Sequence, residues 1–249
     1  MNKLVCECAV APLRREASDR SEMVSQVLYG ESMQVLDELE KWYLVRLSHD
    51  HYEGWVDKKQ VSILTSNAQE LNETKPLSSL YSLVRSGEKV FVLPAGAILS
   101  QTSGDEIELI QTYPNQENQK SGISDYALMF LETPYLWGGR TFMGIDCSGF
   151  TQIVYRLVGI KLQRDAYQQA EQGGLVSFVE ESATGDLAFF ENKEGRITHV
   201  GIILKEKDTE TKIIHASGKV RIDNIDHIGI FNTETNSYTH SLRLIKRIS

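Results

Sequence analysis

Two rhythms of apolar and polar positions divide this chain. Up to residue 63 the apolar positions come in short runs, at 5–10, 23–27, 32–38, 42–47 and 52–56, several alternating with polar neighbours. Turn residues such as Asp19-Arg20-Ser21 and Tyr29-Gly30-Glu31 separate them. Period-two runs between turns predict strands, and this many short strands within residues 1–64 predict a small all-β barrel. Residues 65–74 are polar and read as a connection, while 90–97 and 106–109 read as further strand pieces. The stretch 65–123 is therefore a linker, the preferred reading, or a degenerate second β module.

Beyond it the rhythm lengthens. A helix is expected over 124–131, with Ser124 as N-cap and Asp125 in its first turn, ending before Pro134. After Cys147, the apolar Phe150, Ile153, Val154, Leu157 and Val158 fall at i, i+3, i+4, i+7 and i+8, one buried helical face that stops near Gly159. Residues 165–173 form a second, polar helical piece. Strands are then expected at 187–190, 199–204, 212–215 and 242–248. Helices first and strands later predict an α+β arrangement for 124–249.

Composition narrows the function classes. The 249 residues suffice for one large or two modest domains, and the apolar (41%) and charged (24%) fractions are those of a soluble globular protein. A net charge of −8 argues against nucleic acid and anionic membrane surfaces as partners. No apolar run approaches the roughly 20 residues of a membrane span, and the first residues lack the run of a secretory signal. Read as a native start, that places the protein in the cytoplasm. Three cysteines, Cys6, Cys8 and Cys147, suit a reducing compartment. Cys6 and Cys8 read as alternating strand residues. His49 and His51 would share a strand face, but neither pair has partners in register, so no metal and no cofactor is expected. His227 and His240 read as surface residues.

The candidate chemistry sits at Cys147. A glycine-punctuated loop, Gly138-Gly139 to Gly144, precedes it and a helix follows. A cysteine at a helix N-terminus meets unpaired N–H groups and the positive end of the macrodipole, which favour the thiolate. His199 opens one expected strand and His215 closes the next. Two adjacent antiparallel strands can set a base, His199, against the thiol and an orienting group, His215, behind it. Asp146 is either a cap for the helix or a substrate ligand. Ser148 offers an N–H and a hydroxyl beside the sulfur, and Tyr135 and Trp137 are core aromatics in the plain reading.

PYLWGG (134–139), DCSGF (146–150), GDLAFF (185–190), HVGI (199–202) and IIHASG (213–218) occur in the order found in the NlpC/P60 cysteine peptidases, which this half of the chain resembles. The resemblance implies a papain-like catalytic domain in which Cys147 is the nucleophile, His199 the base and His215 the third, polarising residue. It also sets Tyr135 beside the oxyanion region and Trp137 in the groove wall. Arg164-Asp165-Ala166 resembles the turn with which a narrower branch, the γ-D-glutamyl-L-diamino acid endopeptidases, binds the free amino group of an N-terminal L-Ala. Where many relatives carry Ser, this chain has Ala166; Asp165 is otherwise a helix cap. Ala11-Pro12-Leu13-Arg14, Tyr29-Gly30-Glu31, the run 42–46 and Tyr52-Glu53-Gly54-Trp55-Val56 resemble a bacterial SH3-like domain. In that branch this domain lends a tyrosine to the groove, for which Tyr52 is the candidate, its alternative being an exposed loop aromatic. The implied substrate is a murein tri- or tetrapeptide, cut in peptide recycling; a wall hydrolase targeted by its SH3 domain and an inactive peptide-binding module are the alternatives. Oligomeric state is not legible.

Overall fold

The computed structural model describes residues 3–64, 75–99, 107–114, 122–205 and 210–248. The chain divides into two compact units, Met1–Gln119 with Trp137–Phe142, and Lys120–Leu136 with Met143–Ser249.

The first unit is built on strands β1 (Lys3–Cys6), β2 (Val10–Arg14), β3 (Met23–Leu28), β4 (Ser32–Glu38), β5 (Trp42–Leu47), β6 (Glu53–Asp57) and β7 (Val61–Ile63). They form one sheet in the order β3-β2-β6-β5-β4-β1-β7. Alternation does what it predicts: Ala11 and Leu13 of β2, Val45 and Leu47 of β5 and Val56 of β6 point into a shared core with Leu4, Cys6, Val27 and Met33. The run 5–10 expected as one strand is two, because β1 pairs with β4 and β7 whereas β2 pairs with β3 and β6. Cys6 is a core residue and Cys8 packs against that core. Strands also occupy the described part of 65–123: β8 (Tyr81–Ser86), β9 (Lys89–Pro94) and β10 (Ile107–Tyr113) make an antiparallel sheet ordered β10-β8-β9.

A buried ionic group sits in this unit. Arg140, in the two-residue strand β11 (Arg140–Thr141), is fully buried, and its guanidinium forks onto Glu31 with two contacts of 3.0 Å. The same side chain donates to the Gln26 carbonyl at 2.6 Å and contacts His49 Nε2 at 3.1 Å. His49 in turn meets Asp50 at 3.1 Å, so its place is in this network. Arg140→Ala takes the cation away from a Glu31 carboxylate that stays buried on the Leu28 N–H (2.8 Å), a change expected to remove about 3–5 kcal/mol of stability. Urea denaturation of the full chain checks this; a loss below about 1 kcal/mol, the range of exposed pairs, would contradict it.

The second unit begins with α1 (Ile123–Met129). It starts one residue before the expected Ser124, because Gly122 is the N-cap and its N–H donates to the Asp125 carboxylate at 3.0 Å. After β12 (Gly144–Ile145) comes α2 (Cys147–Leu157), which ends at Gly159 in a left-handed conformation (φ +84°). The expected second helix shrinks to α3 (Ala166–Gln169). The strands are β13 (Gly174–Val176), β14 (Leu187–Glu191), β15 (Ile197–Leu204), β16 (Lys212–Ser217), β17 (Lys219–Ile225), β18 (Gly229–Asn232) and β19 (Ser237–Arg247). Their order is β13-β19-β14-β15-β16-β17-β18, and β18 also pairs with β19, so the antiparallel sheet closes on itself. The eleven residues of β19 make this possible, with register shifts where it meets β14 and β18. Ala188, Phe190, Ile203, Ile213, Ile225, Ile230 and Ile245 share one core. Helix α2 packs on β15 and β16, which carries its first residue to the strands holding both histidines.

Candidate active site

Cys147 is the first residue of α2 and only 7% exposed. The helix is started by Asp146, whose Oδ1 accepts the Gly149 N–H at 2.6 Å. Both Asp146 oxygens also take the guanidinium of Arg164, at 3.1 Å and 2.6 Å. Arg164 donates further to the Ser148 hydroxyl at 2.9 Å, and that hydroxyl lies 3.4 Å from Asp146. The groups expected as substrate ligands, Asp146 and the Ser148 hydroxyl, are thus turned inward to a buried arginine; the cap is the role their contacts support. The backbone N–H groups of Val200 and Ser148 act on the Cys147 sulfur. Val200 follows His199, so the thiol rests against the strand of the candidate base.

Pairing of β15 with β16 sets Gly201 opposite His215. A Cβ at Gly201 would lie 2.9 Å from the His215 Cβ and 2.7 Å from Ile213 Cδ1, so only glycine leaves His215 its place. His199 Nε2 then lies 2.8 Å from His215 Nδ1, and His215 Nε2 lies 2.9 Å from Asp223 Oδ2. Both imidazoles are buried. An ionised Asp223 can only accept from His215 Nε2, and a neutral His215 then accepts at Nδ1 from His199 Nε2. His199 Nδ1 keeps its lone pair.

His240, expected at the surface, stacks on His199 with ring centroids 4.2 Å apart and planes 25° apart. It is half-buried on β19, the strand whose closure of the sheet brings it there. Nitrogens of His199, His215 and His240 lie within 4.8 Å of one another. Stacked rings hold their in-plane lone pairs side by side, and the His199–His215 nitrogens already share a proton.

Electrostatics alter the expectation for the thiol. Burial, reinforced by the Asp146 carboxylate, pushes Cys147 up to about 12 against the Val200 N–H, Arg164 and the Ser148 N–H. Burial, with His215 and His240 adding to it, drives His199 well below the ordinary imidazole range. Burial thus opposes the thiolate that the helix end favours, and it opposes the charged form of His199 as well. Tyr135 is fixed by backbone bonds from its N–H to Gly218 (2.9 Å) and between Leu136 and Ile145 (3.1 Å). Burial and the charges of Cys147 and Asp146 raise its hydroxyl, which stays a donor beside the sulfur.

Asp165 is the N-cap of α3, its backbone N–H bonded to Gln168 Oε1 at 3.1 Å, and Ala166 is the buried first residue. Gln169, which no pattern singled out, is fully buried and donates to the Ser148 and Gln163 carbonyls at 3.0 and 2.8 Å, tying α3 to the start of α2. Asp223 was also missed. Tyr52 and Trp137 belong to the first unit. There Tyr52 packs on the core, with its N–H on Asp50 at 3.0 Å, and the 61% exposed Trp137 donates its indole N–H to Glu22 at 2.7 Å. Among the described residues no helix is long and apolar enough to cross a membrane.

Residues 132–240 match the family model described as NlpC/P60 family, and 13–61 match one described as bacterial dipeptidyl-peptidase Sh3 domain. A gamma-D-glutamyl-L-lysine dipeptidyl-peptidase of Bacillus subtilis (strain 168) is 31% identical over 72% of this chain and 68% of the relative. One of Bacillus cereus (strain ATCC 10987 / NRS 248) is 27% identical over 75% of this chain and 66% of the relative, so the chain spans about two thirds of their length. In fold, the chain is similar to the crystal structure of a NlpC/P60 family protein from Bacillus cereus ATCC 10987, with a TM-score of 0.75 at 20% identity, covering 98% of this chain and 99% of that one.

Proposed function

The chain belongs to the NlpC/P60 family, and from that premise we propose that it is a cysteine peptidase cleaving the bond between γ-D-Glu and the following diamino acid in murein peptides with a free N-terminal L-Ala. The observation that carries the reading is the buried Cys147 at the first residue of α2, against the strand whose His199 is bonded at 2.8 Å to His215. The names of the two dipeptidyl-peptidase relatives support the bond chosen.

In this reading His199 Nδ1 takes the thiol proton as sulfur attacks the γ-carbonyl carbon of D-Glu. The oxyanion formed accepts the Cys147 N–H and the Tyr135 hydroxyl, donors of a kind worth several kcal/mol in acyl transfer. His199 then gives its proton to the departing α-amine of the diamino acid, leaving a thioester. Water, deprotonated by the same imidazole, releases L-Ala-γ-D-Glu and restores the thiol. Asp165 binds the α-ammonium of L-Ala, while Ala166 removes one side-chain hydrogen bond that a serine would supply there.

Asp165 makes the enzyme a reader of peptide ends. Acetylating the L-Ala amine deletes the charge-assisted bond and leaves the carboxylate facing an uncharged amide, expected to cost about 2–5 kcal/mol of transition-state binding. The ratio kcat/KM should fall by roughly thirty-fold to several thousand-fold. Asp165→Asn should lose a similar factor on the free peptide without the two losses adding, since both delete one contact. Stems still attached to the wall through that amine should resist. Equal kcat/KM for free and acetylated peptide would leave Asp165 a helix cap and favour a hydrolase of intact wall.

A further inference from the structure

His215 lies within β16, Gly218 turns the chain after it, and β17 returns beside it with Arg221 opposite His215 and Asp223 opposite Ile213. Arg221 and Asp223 are two apart on one strand and share a face, so Asp223 is the diagonal neighbour of His215. Its carboxylate is 6% exposed. Oδ2 accepts the His215 Nε2–H at 2.9 Å and the Arg221 Nε–H at 2.7 Å, while Oδ1 accepts the Arg221 Nη2–H at 2.9 Å. Glu234 steadies the outer end of the guanidinium at 3.1 Å. Burial alone would raise the carboxyl; the bonds from His215 and Arg221 outweigh it and hold the group below its ordinary range.

An ionised carboxylate can only accept, which decides the protons of both imidazoles. With Nε2–H spent on Asp223, a neutral His215 presents a bare Nδ1, and the bond to His199 is then donated by His199 Nε2. The opposite order, Nδ1–H on His215, would put the His199 proton on Nδ1, where it could take none from sulfur. We propose that Asp223 is a positioning residue of the peptidase site, clamped by Arg221, whose acceptor oxygen fixes the tautomers of His215 and His199 and keeps His199 Nδ1 basic. The proposal rests on the reading of His199 as the base.

The substitution Asp223→Asn keeps the size but forces an NH2 group onto either His215 or Arg221. It is expected to lower kcat about ten- to a hundred-fold while KM on the free tripeptide stays within about two-fold, since no substrate contact is lost. Nitrogen-15 spectra of histidine-labelled wild-type protein at neutral pH give a second readout that needs no variant. His199 and His215 should both carry Nε2–H with unprotonated Nδ1. A His215 protonated on Nδ1 in the wild type, or a folded Asp223→Asn enzyme with kcat within two-fold of wild type, overturns the proposal. Should Asp223→Asn fail to fold, the wild-type spectrum decides alone. If the wild-type enzyme leaves the tripeptide uncut, the peptidase reading fails, and the spectrum still judges the tautomers.

Discussion

Replacing Cys147 by alanine is expected to lower kcat by about ten-thousand-fold or more, as removal of a catalytic nucleophile does elsewhere. The melting temperature should move by only a few degrees, because the change deletes one small buried atom and leaves the Asp146 cap and its Arg164 clamp in place. No other cysteine can substitute: Cys6 lies in the barrel core and Cys8 packs beside it, with burial raising both thiols. Since burial also opposes the Cys147 thiolate, its alkylation by iodoacetamide at neutral pH should depend on His199 and slow sharply in His199→Ala. Residual turnover near wild type in the alanine variant would exclude a cysteine mechanism.

His199→Ala should cost a factor on the order of a thousand or more in kcat, since it removes the base that accepts the thiol proton and later protonates the leaving amine. The pH profile carries the same claim. Burial first, then His215 and His240, lowers the His199 pKa, so the imidazole is neutral and competent through the neutral range. Activity should be lost only as pH falls through that depressed value, placing the acid limb of kcat/KM below 6.5; a limb at or above 6.5 would contradict the assignment. At His215, asparagine can still offer His199 an acceptor oxygen and should retain part of the rate, whereas leucine leaves the His199 Nε2–H unpaired and should not. Two His215 variants as active as wild type would mean that the 2.8 Å contact between the imidazoles has no part in turnover.

The residues that chemistry and periodicity mark were legible, and the ones that hold them were not. Helix α2 announces itself through Phe150, Ile153, Val154 and Leu157, and its start at Cys147 follows from the glycine loop before it. Both histidines sit on strands dense in apolar residues. Arg164 and Gln169, by contrast, are polar residues in a polar stretch, which pattern reading assigns to the surface; both are buried, because they satisfy the Asp146 carboxylate and the Ser148 carbonyl. Arg140 is hidden in the same way, paired with a Glu31 that looked like a turn residue. Strand β17 mixes apolar and polar residues, and nothing in that pattern marks Arg221 or Asp223 as neighbours of His215. The polar first half of β19 concealed His240, whose position depends on a sheet closing between strands remote in sequence. Buried polar networks carry no hydrophobic period, and only the tertiary pairing reveals them.

The most direct test is the product of one incubation. L-Ala-γ-D-Glu-L-Lys, mixed with the purified 249-residue chain and followed by mass spectrometry, should yield L-Ala-γ-D-Glu and free L-Lys, and the Cys147→Ala protein should yield neither. An intact peptide, or release of L-Ala in place of L-Lys, would contradict the account.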